Sequence, residues 1–380
     1  MRDGRERSPD DLYLLYTGGT TGMPKGVMWR HEDVLMAALN SGRGGRPIER
    51  PEQLGEEAAA SPGQARLMAV GPMMHGGGQW VMGNAFTMGG VFVLYTGSSF
   101  DPHRVWRLAE RSKANSVSTI GDAMGRPLAA ALADGTVTYD LSNLFSIGNG
   151  GAPLSAAVRN ELKAVLPNVF VLDSYGASET GAAGSRADDG EGHSAPRFDV
   201  RDDTTVLTDE GVRCAPGEIG KLARRGHIPL GYFKDAEKTA QTFPVFAGQR
   251  WVIPGDYARI EDDGSVTVLG RGSVSINSGG EKIYPEEVEA ALKHHPAVYD
   301  AVVVGTPNER WGQQVTALIA LRPGMQPSVS ELVAHARTMV ADFKSPKAIE
   351  FVPEVVRTPV GKADYRWAYD EAVRLLGLGS

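Results

Sequence analysis

The sequence predicts an α/β protein of two units. One is a large N-terminal unit of layered α/β sheets carrying a small β-rich part; the other is a smaller, mobile α+β C-terminal unit. Three observations carry this expectation. Apolar strand-like segments alternate with helical stretches through the first two thirds of the chain, as in α/β layers. From about Thr204 to Thr267 the pattern turns to short strands with turn signals such as Ala215-Pro216-Gly217 and Asp262-Asp263-Gly264. After Gly270 a new mixed pattern begins, which divides the chain into residues 1–270 and 271–380. A chain of 380 residues exceeds what one ordinary core organises, so two or more domains are expected.

The elements follow in order. The apolar run Leu12 to Tyr16 reads as a buried strand, and His31 to Asn40 as a helix. Gly42 to Pro62 is polar and irregular and reads as a surface loop. Strands are expected at Leu67 to Val70, Gly90 to Tyr95, Ser116 to Ile120 and Val169 to Leu172. Helices are expected at Pro102 to Arg111, Met124 to Leu132 and Ser155 to Leu166. In the last unit, helices at Pro285 to Lys293 and Val329 to Val340 enclose strands at Val298 to Val304 and Val315 to Leu321. Pro285 suits a first helical position, and Glu286 and Glu287 favour the positive end of the helix dipole.

Composition excludes several functions. Acidic residues outnumber basic ones, 46 to 39, so the net charge of -7 leaves no basic footprint for nucleic acid. The single cysteine, Cys214, excludes an intramolecular disulfide and a multi-cysteine metal site, and fits a reducing compartment. No apolar run approaches the roughly 18 residues of a membrane span. The opening M-R-D-G-R-E-R-S-P-D-D carries no apolar secretory core. The expected location is cytoplasmic, and a homo-oligomer stays open.

The chemistry concentrates in Tyr16 to Val27, which reads Y-T-G-G-T-T-G-M-P-K-G-V. Gly18, Gly19, Gly22 and Gly26 let backbone approach an anion, and successive N–H groups in such a loop form a concave anion site. Thr17, Thr20 and Thr21 add hydroxyls, and Lys25 adds a charge suited to phosphate. Preceded by a strand and followed by a helix, this is a nucleotide-binding context. A plain glycine-rich turn rarely combines so many glycines, hydroxyls and a Pro-Lys-Gly. The Walker A loop fails because Gly26, not Ser or Thr, follows the lysine. Further on lies Tyr175-Gly176-Ala177-Ser178-Glu179-Thr180. A carboxylate beside a phosphate loop is repulsive unless a cation stands between them, so Glu179 implies Mg²⁺.

The Tyr16 to Val27 loop resembles the phosphate loop of the adenylate-forming superfamily: acyl-CoA synthetases, luciferases and peptide-synthetase adenylation domains. The match runs from about Asp11 to Arg366 with the motifs in the family's order. The resemblance implies ATP and Mg²⁺, and coenzyme A as the thiol substrate. It implies that Thr17, Gly18, Gly19, Thr20, Thr21, Gly22 and Lys25 hold phosphates. Glu179, with Thr20, would hold the metal, and Tyr175, Gly176 and Ser178 would flank the nucleotide, Ser178 standing where the family more often has Thr. Gly150-Gly151-Ala152 matches the adenine-side segment. Asp256, in Trp251-Val252-Ile253-Pro254-Gly255-Asp256, matches the ribose carboxylate with Pro in place of Thr, and Arg271 matches the arginine that reaches ribose or phosphates. Lys362, in Thr358-Pro359-Val360-Gly361-Lys362, matches the adenylation lysine about ninety residues beyond Arg271. His75, in Pro72-Met73-Met74-His75, and Gly121, in Gly121-Asp122-Ala123-Met124, fall beside the acyl pocket. Gly279-Gly280-Glu281 would line the coenzyme A approach, and the hinge position holds Ser273 instead of Asp or Lys.

The implied reaction is acid–thiol ligation by way of an acyl-adenylate. Lys362, Glu179 and Thr20 are the implied catalytic groups, and carboxylic acid, ATP and coenzyme A the partners. As a whole the sequence most resembles bacterial acyl-CoA synthetases for fatty acids or bulky sterol-derived side chains, and Trp29-Arg30-His31 and Gly121 to Met124 suggest the second group. The alternatives are a non-catalytic nucleotide-binding paralogue and an enzyme loading a carrier protein. The family carries a long segment before the phosphate loop, and only about fifteen residues stand there here. A truncated large domain is therefore expected, with sheet edges and apolar faces uncovered.

Overall fold

The computed structural model describes residues 7–17, 24–39, 50, 52–187, 196–358 and 361–378. β1 (Leu12–Thr17) and β2 (Lys25–Arg30) pair antiparallel with Thr17 opposite Lys25. The phosphate-loop segment therefore closes a hairpin, where the sequence suggested a strand leading straight to a helix. The reason is a period of two: Val27 and Trp29 point inward and are fully buried, which makes Lys25 to Arg30 a strand. α1 (His31–Val34) follows and continues as one π-helical turn, Leu35–Leu39. β1 is also less buried than expected. Leu15 is covered, while Leu12, Leu14 and Tyr16 are exposed on the other face.

The stretch read as an irregular loop contains α2 (Glu52–Ala60), whose Glu and Ala content favours helix and whose Leu54 packs inward. Then comes the α/β core. β3 (Arg66–Ala69), α3 (Gly76–Thr87), β4 (Val91–Leu94), α4 (Pro102–Ser112), β5 (Ser116–Thr119), α5 (Gly121–Ala133), β6 (Ser146–Gly150), α6 (Ala156–Val165) and β7 (Phe170–Ala177) alternate without exception. Asp101 caps α4 and Ser155 caps α6, each accepting from a backbone N–H of the first turn. β4, β3, β5, β6 and β7 are parallel neighbours in that order. Met68, Val117, Ile147 and Val171 from these strands meet Trp106, Leu128, Val158 and Leu162 from the helices in one core.

The β-rich part extends this same sheet. β8 (Gly181–Ala187) and β9 (Arg197–Val200) are followed by β10 (Thr204–Leu207), β11 (Ile219–Arg224) and the short β12 (Gly231–Tyr232). After α7 (Ala236–Thr242) and the small hairpin of β13 (Val245–Phe246) and β14 (Gln249–Arg250) come β15 (Asp256–Ile260) and β16 (Val266–Arg271). The sheet order is β10-β11-β15-β16-β9-β8-β7-β6-β5-β3-β4, eleven strands in all. β12 instead joins the β1–β2 hairpin, with Tyr232 opposite Val27.

The last unit has its own sheet. β17 (Ile276–Ser278), β18 (Glu281–Ile283), β19 (Val298–Asn308) and β20 (Gly312–Leu321) pair antiparallel, and β21 (Ala348–Phe351) lies parallel beside β20. α8 (Pro285–Lys293) and α9 (Val329–Arg337) cover one face. α10 (Tyr365–Leu375), which the sequence reading did not anticipate, covers the other with Ala368 and Ala372 against Val302, Val304 and Leu318. Among the described residues no helix is long and apolar enough to cross a membrane.

Candidate active site

Four of the expected site segments lie at the carboxyl ends of the parallel strands, where open α/β sheets bind ligands. His75 stands beyond β3, Gly121 beyond β5, Gly150 closes β6, and Tyr175 to Glu179 close β7. One buried amide joins these turns. Asn149 accepts from the Gly121 N–H at 2.7 Å and donates to the Ala152 carbonyl at 3.0 Å and to Asp173 at 2.9 Å. Gly121 has φ +55°, and a Cβ there would stand 2.8 Å from both the Ala152 Cβ and the Pro153 carbonyl. Its role in the fold is this close approach of two turns. Gly150, Gly151 and Ala152 form the facing turn.

The Tyr175 to Thr180 segment is clamped against β2. The buried Trp29 indole donates to the Ser178 carbonyl at 2.9 Å. Trp29, suggested by the sequence as a mark of substrate class, thus braces the turn that carries Glu179. Tyr232 donates its hydroxyl to Glu179 Oε1 at 2.8 Å, and the Lys25 ammonium lies 5.4 Å from the centre of the Tyr232 ring. Burial and the adjacent Glu179 carboxylate push the Tyr232 phenol well above its ordinary pKa, so it stays a donor. Gly176 sits at a bulge between β7 and β8, where a Cβ would lie 2.3 Å from the Gly181 carbonyl oxygen. Behind the turn, the fully buried Arg224 donates to the Thr180 and Ala182 carbonyls and pairs with Asp203 at 2.8 Å.

Asp256 and Arg271 are direct partners across the β15–β16 ladder, with Arg271 Nε 3.3 Å from Asp256 Oδ1. The Tyr175 hydroxyl donates to Asp256 Oδ2 at 2.6 Å. Burial lowers the Arg271 pKa, but the carboxylates of Asp256 and Glu179 outweigh it and leave Arg271 more basic than usual.

Lys362 comes to this cluster from the C-terminal unit. It caps a turn in which the Thr358 N–H donates to the Lys362 carbonyl at 2.8 Å. Its side chain stays open to solvent in the cleft. Surrounding protein and then Arg271 hold its pKa below that of a free lysine, while Glu179 and Asp256 pull the other way. His75 feels the same ammonium. Burial first, and Lys362 second, lower the imidazole pKa, so the ring is neutral near pH 7, and its Nε2 is buried without a hydrogen-bond partner among the described residues.

Thr17 and Lys25 flank the loop at the paired ends of β1 and β2; Gly18, Gly19, Thr20, Thr21 and Gly22 lie outside the described residues. Asp122, expected beside the acyl pocket, is instead buried against Lys293 of α8 at 3.2 Å. Gly279, Gly280 and Glu281 are not brought to this cluster. They form the β17–β18 turn on the C-terminal sheet, where a Cβ on Gly279 would lie 2.6 Å from the Trp311 ring. Ser273 lies in a single 3₁₀ turn, Gly272–Val274, directly after Arg271. Sequence reasoning missed Tyr232, Trp29 as a brace and Asn149, because each acts across 28 or more residues of chain.

The donor set fits a nucleotide with its metal. Mg²⁺ keeps water and takes one or two carboxylates together with substrate phosphates, so a lone Glu179 beside a cationic loop suffices.

Two family models match the chain: AMP-binding enzyme over residues 2–233 and AMP-binding enzyme C-terminal domain over residues 287–362. The chain is 48% identical to a 3-oxocholest-4-en-26-oate–CoA ligase of Rhodococcus rhodochrous, covering 97% of this chain and 68% of that protein. It is 49% identical, with the same coverage, to a medium/long-chain-fatty-acid–CoA/3-oxocholest-4-en-26-oate–CoA ligase of Mycolicibacterium smegmatis. Among solved structures, the anthranilate CoA ligase AuaEII in complex with anthranoyl-AMP superposes with a TM-score of 0.78 at 26% identity, over 98% of this chain and 69% of that one. The chain belongs to the AMP-binding enzyme family.

Proposed function

We propose that this protein is an ATP-dependent, AMP-forming acid–thiol ligase that activates a carboxylic acid as its acyl-adenylate and transfers the acyl group to coenzyme A. The observation that carries the reading is that the C-terminal unit packs Gly361 against Ile120 and Ala123 beyond β5, which brings Lys362 within electrostatic reach of Arg271, Asp256, Glu179 and His75. Fatty acids and sterol side-chain acids are the substrate classes we assign, in keeping with the relatives' activities. We place the enzyme in the cytoplasm.

The residue roles follow from their chemistry. In the first half-reaction a carboxylate oxygen attacks the α-phosphorus and the bond to pyrophosphate breaks. Lys362 and Arg271 meet the negative charge that builds on the phosphate and carboxylate oxygens. Asp256, oriented by Tyr175, accepts hydrogen bonds from the ribose hydroxyls. The Thr17 to Lys25 loop would hold the phosphates, Gly150 to Ala152 would receive the adenine, and Glu179, its carboxylate fixed by Tyr232, would hold the metal. Mg²⁺, when bound, neutralises phosphate charge. His75 and Gly121 border the acyl group. In the second half-reaction residues 271–380 turn about Ser273, bringing Gly279, Gly280 and Glu281 to the thiol's approach. The thiol sulfur then attacks the acyl carbon, and AMP leaves with the electron pair of the broken C–O bond.

Carboxylate- and Mg²⁺-dependent ATP–pyrophosphate exchange, measured over a panel of fatty and sterol acids, tests this reading. Exchange with at least one acid is expected. Retained ATP binding with no exchange for any acid would identify a non-catalytic nucleotide-binding protein.

A further inference from the structure

Two buried charges of opposite sign meet where the C-terminal unit rests on α5. Asp122, in the first turn of α5, and Lys293, the last residue of α8, are 5% and 6% exposed, with Nζ 3.2 Å from Oδ2. Asp122 is fixed on its own side, since Oδ1 accepts from the Ser155 N–H at 2.7 Å. Lys293 has acidic neighbours on its own unit: Glu289 one turn back on α8 and Asp300 on β19. Asp300 is committed to Arg357, at 2.9 and 2.7 Å. Glu289 accepts from the Val303 N–H at 3.0 Å.

This network leads to the lysine loop. Arg357 also donates to the Gly361 carbonyl at 3.3 Å. A Cβ on Gly361 would lie 3.3 Å from the Ala123 Cβ and 3.5 Å from the Ile120 carbonyl oxygen. The same turn of α5 therefore binds Lys293 through Asp122 and cradles the residue before Lys362 through Ile120 and Ala123. Two further contacts flank the pair. Arg126 stacks on Tyr299 at 4.8 Å, and Glu161 of α6 bridges Arg126 and Arg322.

A buried ion pair adds little net stability, because desolvation cancels most of the attraction, but losing one partner strands a charge. Such a pair between two units selects one arrangement of them. Turning the C-terminal unit away would break it and return both charges to water.

We propose that Asp122 and Lys293 are positioning residues whose ion pair seats the C-terminal unit on α5 and so delivers Lys362 to the cleft. The role assigned to Lys362 rests on the function proposed above, whereas the seating itself is a statement about geometry. Thiol crosslinking measures it without catalysis. Cysteines replacing Arg126 of α5 and Tyr299 of β19, whose side chains meet across the same boundary at 4.8 Å, can be trapped by a short bifunctional thiol reagent in the seated arrangement, while the native Cys214 is buried and remote in sequence. The variant to compare is Asp122→Asn, which removes the charge that holds the two units together, keeps an acceptor for the Ser155 N–H and leaves Lys293 still faced by Glu289 and Asp300. The trapping rate in the full chain is expected to fall at least about fivefold, with little change in melting temperature. In the variant without the cysteines, pyrophosphate exchange should fall in kcat with the KM for ATP unchanged. Trapping at the parent rate would overturn the proposal. Slowed trapping in a chain whose parent shows no exchange would leave the seating intact and sink the ligase reading instead.

Discussion

Tyr232 donates its hydroxyl to Glu179 at 2.8 Å, across 53 residues of chain, while the Lys25 ammonium lies over its ring. This phenol links the end of the phosphate-loop hairpin to the carboxylate at the end of β7. In the function proposed above both segments serve the same ligand, and a neutral donor between them would fix the carboxylate without competing for the metal.

Tyr232→Phe should therefore weaken Mg²⁺ dependence more than it weakens the fold. Orienting partners of metal ligands are worth roughly 10- to 100-fold in metal affinity, whereas one lost hydrogen bond costs about 1 kcal/mol of stability. A Mg²⁺ titration of pyrophosphate exchange checks this, and an unchanged midpoint would detach Tyr232 from the metal site.

Lys362→Ala should separate the half-reactions. Exchange should drop by about 10²- to 10³-fold, the range for removing one group that stabilises developing charge. Thioester formation from supplied acyl-adenylate should persist, because the lysine leaves the cleft when the C-terminal unit turns. Equal losses in both assays would mean that Lys362 supports structure only.

Glu286 gives the stability a pH dependence. Burial, then the nearby Glu289 carboxylate, push its pKa up to about 8, and its Oε2 is buried beside Gly270 without a hydrogen-bond partner among the described residues. A folded-state pKa raised above the unfolded value means the native state holds the proton more tightly. That contribution is complete below about 4.5, declines as pH rises, and is lost above about 8. Glu286→Gln, which cannot ionise, should flatten the fall in melting temperature over that window and be the more stable protein above its upper end. Parallel melting curves against pH would show that the carboxyl is not buried as described.

Gly176→Ala should destabilise by about 1–3 kcal/mol, the usual cost of forcing extra volume into packed structure. The added Cβ would meet the Gly181 backbone oxygen at 2.3 Å, and backbone cannot rotate away as a side chain can. Thermal unfolding measures it. A wild-type melting temperature would mean that the β7–β8 bulge relaxes freely.

Much of the α/β alternation was legible because each strand and helix of the first unit is a local pattern. The expected helix at Pro102 to Arg111 became Pro102–Ser112, and the strand at Ser116 to Ile120 became Ser116–Thr119. The errors arose where local pattern was ambiguous. The sequence alone assigns the six residues Lys25 to Arg30 to no strand, and their pairing with β1 and β12 is what makes them one. Glu52 to Ala60 has Leu54 as its one large apolar residue, among glutamates, alanines and a glycine, so its helix had no apolar stripe to announce it.

By itself the sequence determined the family: glycines, hydroxyls and a lysine in one loop, then Glu179, Asp256, Arg271 and Lys362 at family spacing. These are covalent identities and intervals, and no packing is needed to read them. Tertiary structure alone decided which residues hold them. Asp256 meets Arg271 because a hairpin ladder sets them opposite, Glu179 is oriented by a tyrosine on another sheet, and Asp122 turns from a pocket-lining candidate into the seat for Lys293. Such pairings are long-range, and their energy depends on burial that only the packed chain creates.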